Sequence, residues 1–143
     1  MKKVVLVFLS FVFIVTMVFS AAEKSSNLFG IDLYKVLSKK PGNIFLSPFS
    51  ISSALAMTYI GAAGDTAQQM RDVLHFDVED EVLHNSFSEL IKSLNQPNEK
   101  YQLSIANSMW AQDGYPFLEE FISKVQKYYQ SGLNYVDFID SAK

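Results

Sequence analysis

The stretch Asn43-Ile44-Phe45-Leu46-Ser47-Pro48-Phe49-Ser50-Ile51-Ser52-Ser53-Ala54-Leu55-Ala56-Met57 decides how the chain reads. The apolar run Asn43 to Leu46, stopped by Ser47-Pro48, is too short for a helix and suits a buried strand. A helix is expected from near Ser50. Its residues Ile51, Ala54, Leu55, Ala56, Met57, Tyr59 and Ile60 leave almost no polar face, which predicts burial on all sides and a large surrounding core. Gly61-Ala62-Ala63-Gly64 closes it.

Towards the amino terminus, Phe29, Leu33, Val36 and Leu37 fall at i, i+4, i+7 and i+8, an amphipathic helix ended by Lys39-Lys40-Pro41-Gly42. Before it, Lys2-Lys3 precede an apolar stretch from Val4 to Phe19 and the small residues Ser20, Ala21 and Ala22. That is the build of a secretory signal peptide over residues 1–22, with cleavage after Ala22 favoured over cleavage after Ser20. The stretch is shorter than the roughly 20 residues a spanning helix needs, so no stable membrane span is expected once it is removed. Secretion to the extracellular space follows. No Asn-x-Ser/Thr sequon occurs, since Asn85-Ser86-Phe87 and Asn107-Ser108-Met109 both fail at the third place.

Towards the carboxyl terminus, Thr66 and Gln69 form a capping-box pattern ahead of Met70, Val73 and Leu74, a short helix. Asp77, Glu79, Asp80 and Glu81 suit the start of a further helix carrying Leu83, Phe87, Leu90, Ile91 and Leu94. From Tyr101 to Ala111 the period is two, with Leu103, Ile105, Asn107 and Met109 on one face: a strand, broken at Asp113-Gly114. Phe117, Phe121, Ile122, Val125 and Tyr129 form a last helical stripe capped by Ser131-Gly132, and Leu133 to Ile139 is rich in β-formers.

Composition removes several functions. The chain has 143 residues, 49% hydrophobic, and a net charge of -3, more acidic still without Lys2 and Lys3. Much of the hydrophobicity belongs to the leader, and the excess of acid argues against nucleic acid as a partner. Without cysteine there is no disulfide framework, thiolate metal site or thiol nucleophile. His75 and His84 have no acidic pair at metal spacing, so no metal is expected. The serines lack a Gly-x-Ser-x-Gly elbow and an activating partner, and read as caps and packing contacts. Asp77 to Glu81 lacks the ligand pattern of a calcium loop. No cofactor site and no enzyme constellation emerges. Asn107 stands out, because an amide on the apolar face of a strand must find hydrogen-bond partners.

The opening stretch, continued by Gly61-Ala62-Ala63-Gly64-Asp65-Thr66-Ala67-Gln68-Gln69-Met70, Val73-Leu74-His75-Phe76, Ala106-Asn107-Ser108-Met109-Trp110 and Tyr135-Val136-Asp137-Phe138, closely resembles the amino-terminal part of serpins, in the family's order. The resemblance covers about Asn27 to Asp140. It implies an α+β fold, here the family's helices A to E, a strand buried behind the second of them and the first strands of the central sheet, so that residues 23–143 form part of a serpin domain. It also implies that Ser47, Ser50 and Asn107 belong to a polar cluster beneath that sheet, where strands part to admit an inserted loop. No heparin site is expected, because the helix over Val82 to Leu94 offers only Lys92 against Glu81 and Glu89.

A serpin's partner is a serine protease, caught by inserting a cleaved reactive loop into the sheet. The resemblance places the hinge, the reactive-centre loop and the carboxy-terminal strands beyond Lys143. The full-length form is therefore expected to inhibit a serine-type endopeptidase, and the chain as given is not expected to do so alone. The alternative is a secreted interaction module that binds through exposed sheet edges.

Overall fold

The computed structural model describes residues 21–140. The signal-peptide reading lies outside them, except for Ala21 and Ala22, which are buried at the beginning of the first described helix. That helix, α1, runs over residues 21–37. It is followed by α2 (Pro48–Tyr59), α3 (Gly64–Leu74), α4 (Asp80–Leu94), β1 (Met109–Gln112), α5 (Glu119–Tyr129) and β2 (Leu133–Val136). The two strands pair in parallel, Met109 opposite Leu133 and Gln112 opposite Val136, with α5 as the crossover that a parallel pair requires. No helix among the described residues is long and apolar enough to cross a membrane.

The core forms where the apolar stripes of α2, α4 and α5 meet. Phe87 of α4 is fully buried, and its ring lies 6.0 Å from Phe49 of α2, 6.1 Å from Phe76 after α3 and 6.0 Å from Tyr129 of α5. Leu83, Leu90 and Ile91 extend the same face of α4, as their i, i+3 and i+4 spacing requires, and Val125 and Tyr128 answer from α5. Asp80 and Glu81 occupy the first turn of α4 and Lys92 the last, the order that the helix dipole favours. Polar ties fix the edges of this core. Arg71 donates to Tyr59 Oη (3.0 Å), Asp80 Oδ1 (2.6 Å) and the carbonyl of Val78 (2.7 Å), binding the end of α2 to the link between α3 and α4. Lys24 and Asp32 of α1 reach Asp77 and His75 in turn.

Several local expectations give way to the structure. Residues 43–47 are extended but make no ladder, and Phe45 is fully exposed, so the predicted buried strand Asn43 to Leu46 is not one here. No strand among the described residues lies alongside to complete it. The helix expected from Ser50 starts at Pro48, where proline's fixed φ suits the first turn and Ser47 supplies the cap. Its burial is uneven: Ala56, Met57 and Tyr59 are buried, whereas Ile51, Leu55 and Ile60 are half-buried. Thr66 lies inside α3 and caps nothing, since the helix begins at Gly64 behind an Ala63 with no side-chain bond. The cap of α5 is Gln130 in the left-handed region, at φ 52°, not Ser131-Gly132. Of the α1 stripe, Phe29 is buried and Leu33 half-buried, while Val36 and Leu37 are exposed.

A close approach of α1 to the start of α2 depends on glycine. A Cβ added at Gly30 would lie 2.6 Å from Pro48 Cβ, whereas one at Gly132 would meet nothing within 4 Å. Gly30→Ala is expected to cost roughly 1–3 kcal/mol of unfolding free energy, and Gly132→Ala about 0.5 kcal/mol or less in either direction. Urea unfolding followed by tryptophan fluorescence separates the two, and equal midpoints would contradict the close approach.

Candidate functional site

Ser47, Ser50 and Ser53 follow one another at three-residue steps, which sets them along one face of α2 and its cap. Ser47 Oγ donates to Ser50 Oγ at 2.9 Å and accepts the Ser50 N–H at 3.4 Å, the hydrogen bond of an N-cap. One turn further on, Asn107 Nδ2 donates to Ser53 Oγ at 2.5 Å. Ser53 is fully buried and Asn107 half-buried. The structure thus brings Ser47 and Ser50 together at the helix start and sets Asn107 on Ser53, which sequence reading had treated as a packing residue. The regular serine spacing was the available signal.

Asn107 sits on an extended segment over residues 101–108 that belongs to no ladder. The predicted strand from Tyr101 therefore narrows to Met109–Gln112, although its alternation persists: Ile105, Asn107 and Met109 are half-buried and Ala111 is buried, while Ala106, Ser108 and Trp110 are exposed. Two side-chain amides replace the missing neighbour. Asn95 donates through Nδ2 to the Ile105 carbonyl (2.9 Å) and accepts the Ile105 N–H through Oδ1 (2.7 Å), the two-point contact that a neighbouring strand would make. Asn107 then fastens the segment to α2. Neither pair titrates, and neither includes a nucleophile with an activating base. What they can do is hold, and release, an extended segment against a helix.

A second polar group lies within the core. His84 is buried, with Nδ1 2.7 Å from Tyr129 Oη and the rings of Tyr59, Tyr128 and Tyr129 around it at 6.0, 5.5 and 5.8 Å. Burial lowers the imidazole to about 4, against the opposing pull of the Asp80 carboxylate, and burial also pushes the Tyr129 phenol well above its ordinary range. Among the described residues no three His, Cys, Asp or Glu side chains converge as metal ligands.

Because the folded state disfavours charged His84, the unfolded chain takes up the proton first. Stability is therefore complete above about pH 6.5 and is lost as pH falls towards 4, by on the order of 3 kcal/mol over that range. Urea midpoints measured at intervals from pH 7.5 to 4.5 should hold to about pH 6.5 and then fall, and a flat profile throughout would contradict a neutral buried imidazole. At fixed neutral pH, Asn107→Ala should cost about 1–3 kcal/mol, because it strips the buried Ser53 hydroxyl of its partner. An unchanged midpoint would remove the fastening.

Comparison with known proteins agrees with this architecture. The family described as Serpin (serine protease inhibitor) matches residues 24–143. A leukocyte elastase inhibitor of Bos taurus is 44% identical over 113 residues, which cover 78% of this chain and 29% of the relative. The chain thus spans about three tenths of the length of that relative. Among solved structures, ovalbumin from the emu, Dromaius novaehollandiae, superposes with a TM-score of 0.79 at 30% identity, over 85% of this chain and 35% of that one. A cleaved serpin of the 42Da type gives 0.77 at 32% identity, over 87% and 34%. The order of α1 to α5 and the parallel pair is accordingly the partial serpin fold of an amino-terminal part, and the chain belongs to the serpin family of serine protease inhibitors.

Proposed function

We propose that residues 23–143 are the amino-terminal part of a secreted inhibitor of serine-type endopeptidases, and that the protein is no enzyme. The observation that carries the inhibitor reading is the family match over 24–143. The 44% identity to a leukocyte elastase inhibitor makes an elastase the first protease to assay. In this reading the cleaved loop lies outside residues 23–143. The contribution of this part is a rigid helical half, with Ser47, Ser50, Ser53 and Asn107 holding α2 against the segment that leads into β1. Such hydrogen bonds between neutral groups are each worth about 1 kcal/mol net, which lets a sheet shift over the helix without a large barrier. A heparin-type activator is not part of the proposal, since α4 offers a single lysine, Lys92, against Asp80, Glu81 and Glu89.

A second reading has one observation in its favour. Among the described residues β1 pairs on one side only, and the segment over 101–108 on neither. An open edge of that kind accepts an extended peptide from a partner, so a secreted interaction module is the alternative.

The test uses the full-length protein with leukocyte elastase, followed by residual protease activity and intact mass. Loss of elastase activity at about one inhibitor per enzyme is expected, and Asn107→Ala should change the inhibition rate. Protease activity that survives an excess of folded protein, with elastase and then with trypsin-like and chymotrypsin-like enzymes, would overturn inhibition. Capture of an extended peptide in that case would favour the second reading. Amino-terminal sequencing of product from culture medium should begin at Glu23, and retention of Met1 inside the cell would overturn secretion.

A further inference from the structure

Behind the end of α2, between the first turns of α4 and the middle of α5, lies a cavity of about 440 Å³ that the inhibitory reading does not use. Its lining includes Asp80, Glu81 and His84 of α4 and Lys124 of α5, with Ile60 and Ala67 on the apolar side. We propose that this cavity binds a small zwitterion, a free α-amino acid with an aliphatic side chain.

The first argument is a buried donor. Tyr129 is buried and its hydroxyl needs an acceptor, and among the described residues that acceptor is His84 Nδ1, at 2.7 Å. Taking the phenol as the donor to Nδ1 selects the tautomer in which the neutral imidazole carries its own proton on Nε2. Tyr129 does not line the cavity and His84 does, and the Nε2 edge of the ring, which the Tyr129 contact leaves free, is proposed as the edge presented to a ligand. His84 is 5% exposed, and Nε2 makes no hydrogen bond among the described residues. A ligand oxygen would satisfy it.

The second argument is charge complementarity. The Lys124 ammonium, held by Glu120 at 2.7 Å and half exposed, stands close enough to act on His84, as does Asp80. On the acidic wall, Asp80 uses Oδ1 for Tyr59 and Arg71, which leaves Oδ2 uncommitted, and Glu81 makes no hydrogen bond among the described residues. A simple anion would meet two carboxylates. A simple cation would meet Lys124, with the Arg71 guanidinium behind Asp80. A molecule bearing both charges is complemented on both sides, its carboxylate between Lys124 and His84 Nε2–H and its ammonium against Asp80 and Glu81. Ile60 and Ala67 then receive an aliphatic side chain. The volume falls in the range of small-molecule sites, roughly 300–1,000 Å³.

The test is calorimetric titration of the full-length protein with L-leucine. One saturable site is expected. Isoamylamine and isocaproate, which keep the carbon skeleton but lack one charge each, should bind at least about tenfold more weakly, and Lys124→Met and Glu81→Gln should each weaken L-leucine about tenfold or more. Both side chains are solvent-exposed, and thermal unfolding verifies that the variants fold; Lys124→Gln replaces any that does not. Absence of saturable binding up to about 10 mM would overturn the site. So would singly charged analogues that bind as well as L-leucine, or variants that bind it as the parent does. None of these results bears on protease inhibition, so the two readings stand or fall separately.

Discussion

Burial of the Phe87 ring is the constraint on which the other contacts depend. A phenylalanine taken wholly out of water contributes roughly 1.5–3 kcal/mol, and more once the surrounding contacts are counted. Position matters more here than magnitude. Phe87 is touched from α2 by Phe49, from the end of α3 by Phe76 and from α5 by Tyr129. Elements far apart in sequence therefore have one meeting point, and α5 can act as a crossover only because Val125, Tyr128 and Tyr129 find α4 already in place. The parallel pairing of β1 with β2 follows, since α5 carries the chain from the end of one strand to the start of the other.

The polar contacts do a different task. Arg71 closes the corner between α2 and α4, and two amides, Asn95 and Asn107, hold a segment that has no ladder. Isolated, each such bond is weak. Their value is geometric: they fix which face of residues 101–108 points at α2, and so the register in which β1 begins. A slip of one residue would exchange Asn107 and Met109 for Ser108 and Trp110 on the inner face.

Much of this was legible in the sequence, and the failures share a cause. Stripes at helical spacing, such as Leu83, Phe87, Leu90 and Ile91, report on a surface the helix carries with it, so they were readable locally. A strand differs, because its hydrogen bonds come from elsewhere. Asn43 to Leu46 has the composition of a buried strand and Tyr101 to Ser108 has the alternation of one, yet neither pairs among the described residues. The cap of α5 failed for a smaller reason: Gln130 takes left-handed backbone without being glycine, one residue before the expected Ser131-Gly132, which no composition rule anticipates. The site was half legible. The need of Asn107 for a partner followed from its position on an apolar face, but the partner, Ser53, depends on how helix and strand cross.

The distribution of exposed apolar side chains completes the account. Some of them cluster. Ile31 and Tyr34, three residues apart, share one side of α1, and Trp110, Tyr115 and Leu118 stand around the turn after β1, while Val36, Val73, Tyr101 and Phe138 lie elsewhere. Apolar surfaces gathered in this way are surfaces that something covers. The core around Phe87, by contrast, is closed by residues of α1 to α5 and of the link between α3 and α4, Phe29, Met57, Leu74, Phe76 and Val125 among them. The inside is thus built by these residues, while several large apolar side chains remain exposed, in a chain that covers 29% of a relative's length. The helix stripes were readable because they face that core, whereas the strand readings ran longer than the ladder: Met109 to Gln112 and Leu133 to Val136 pair with each other, and residues 101–108 have no strand beside them among the described residues.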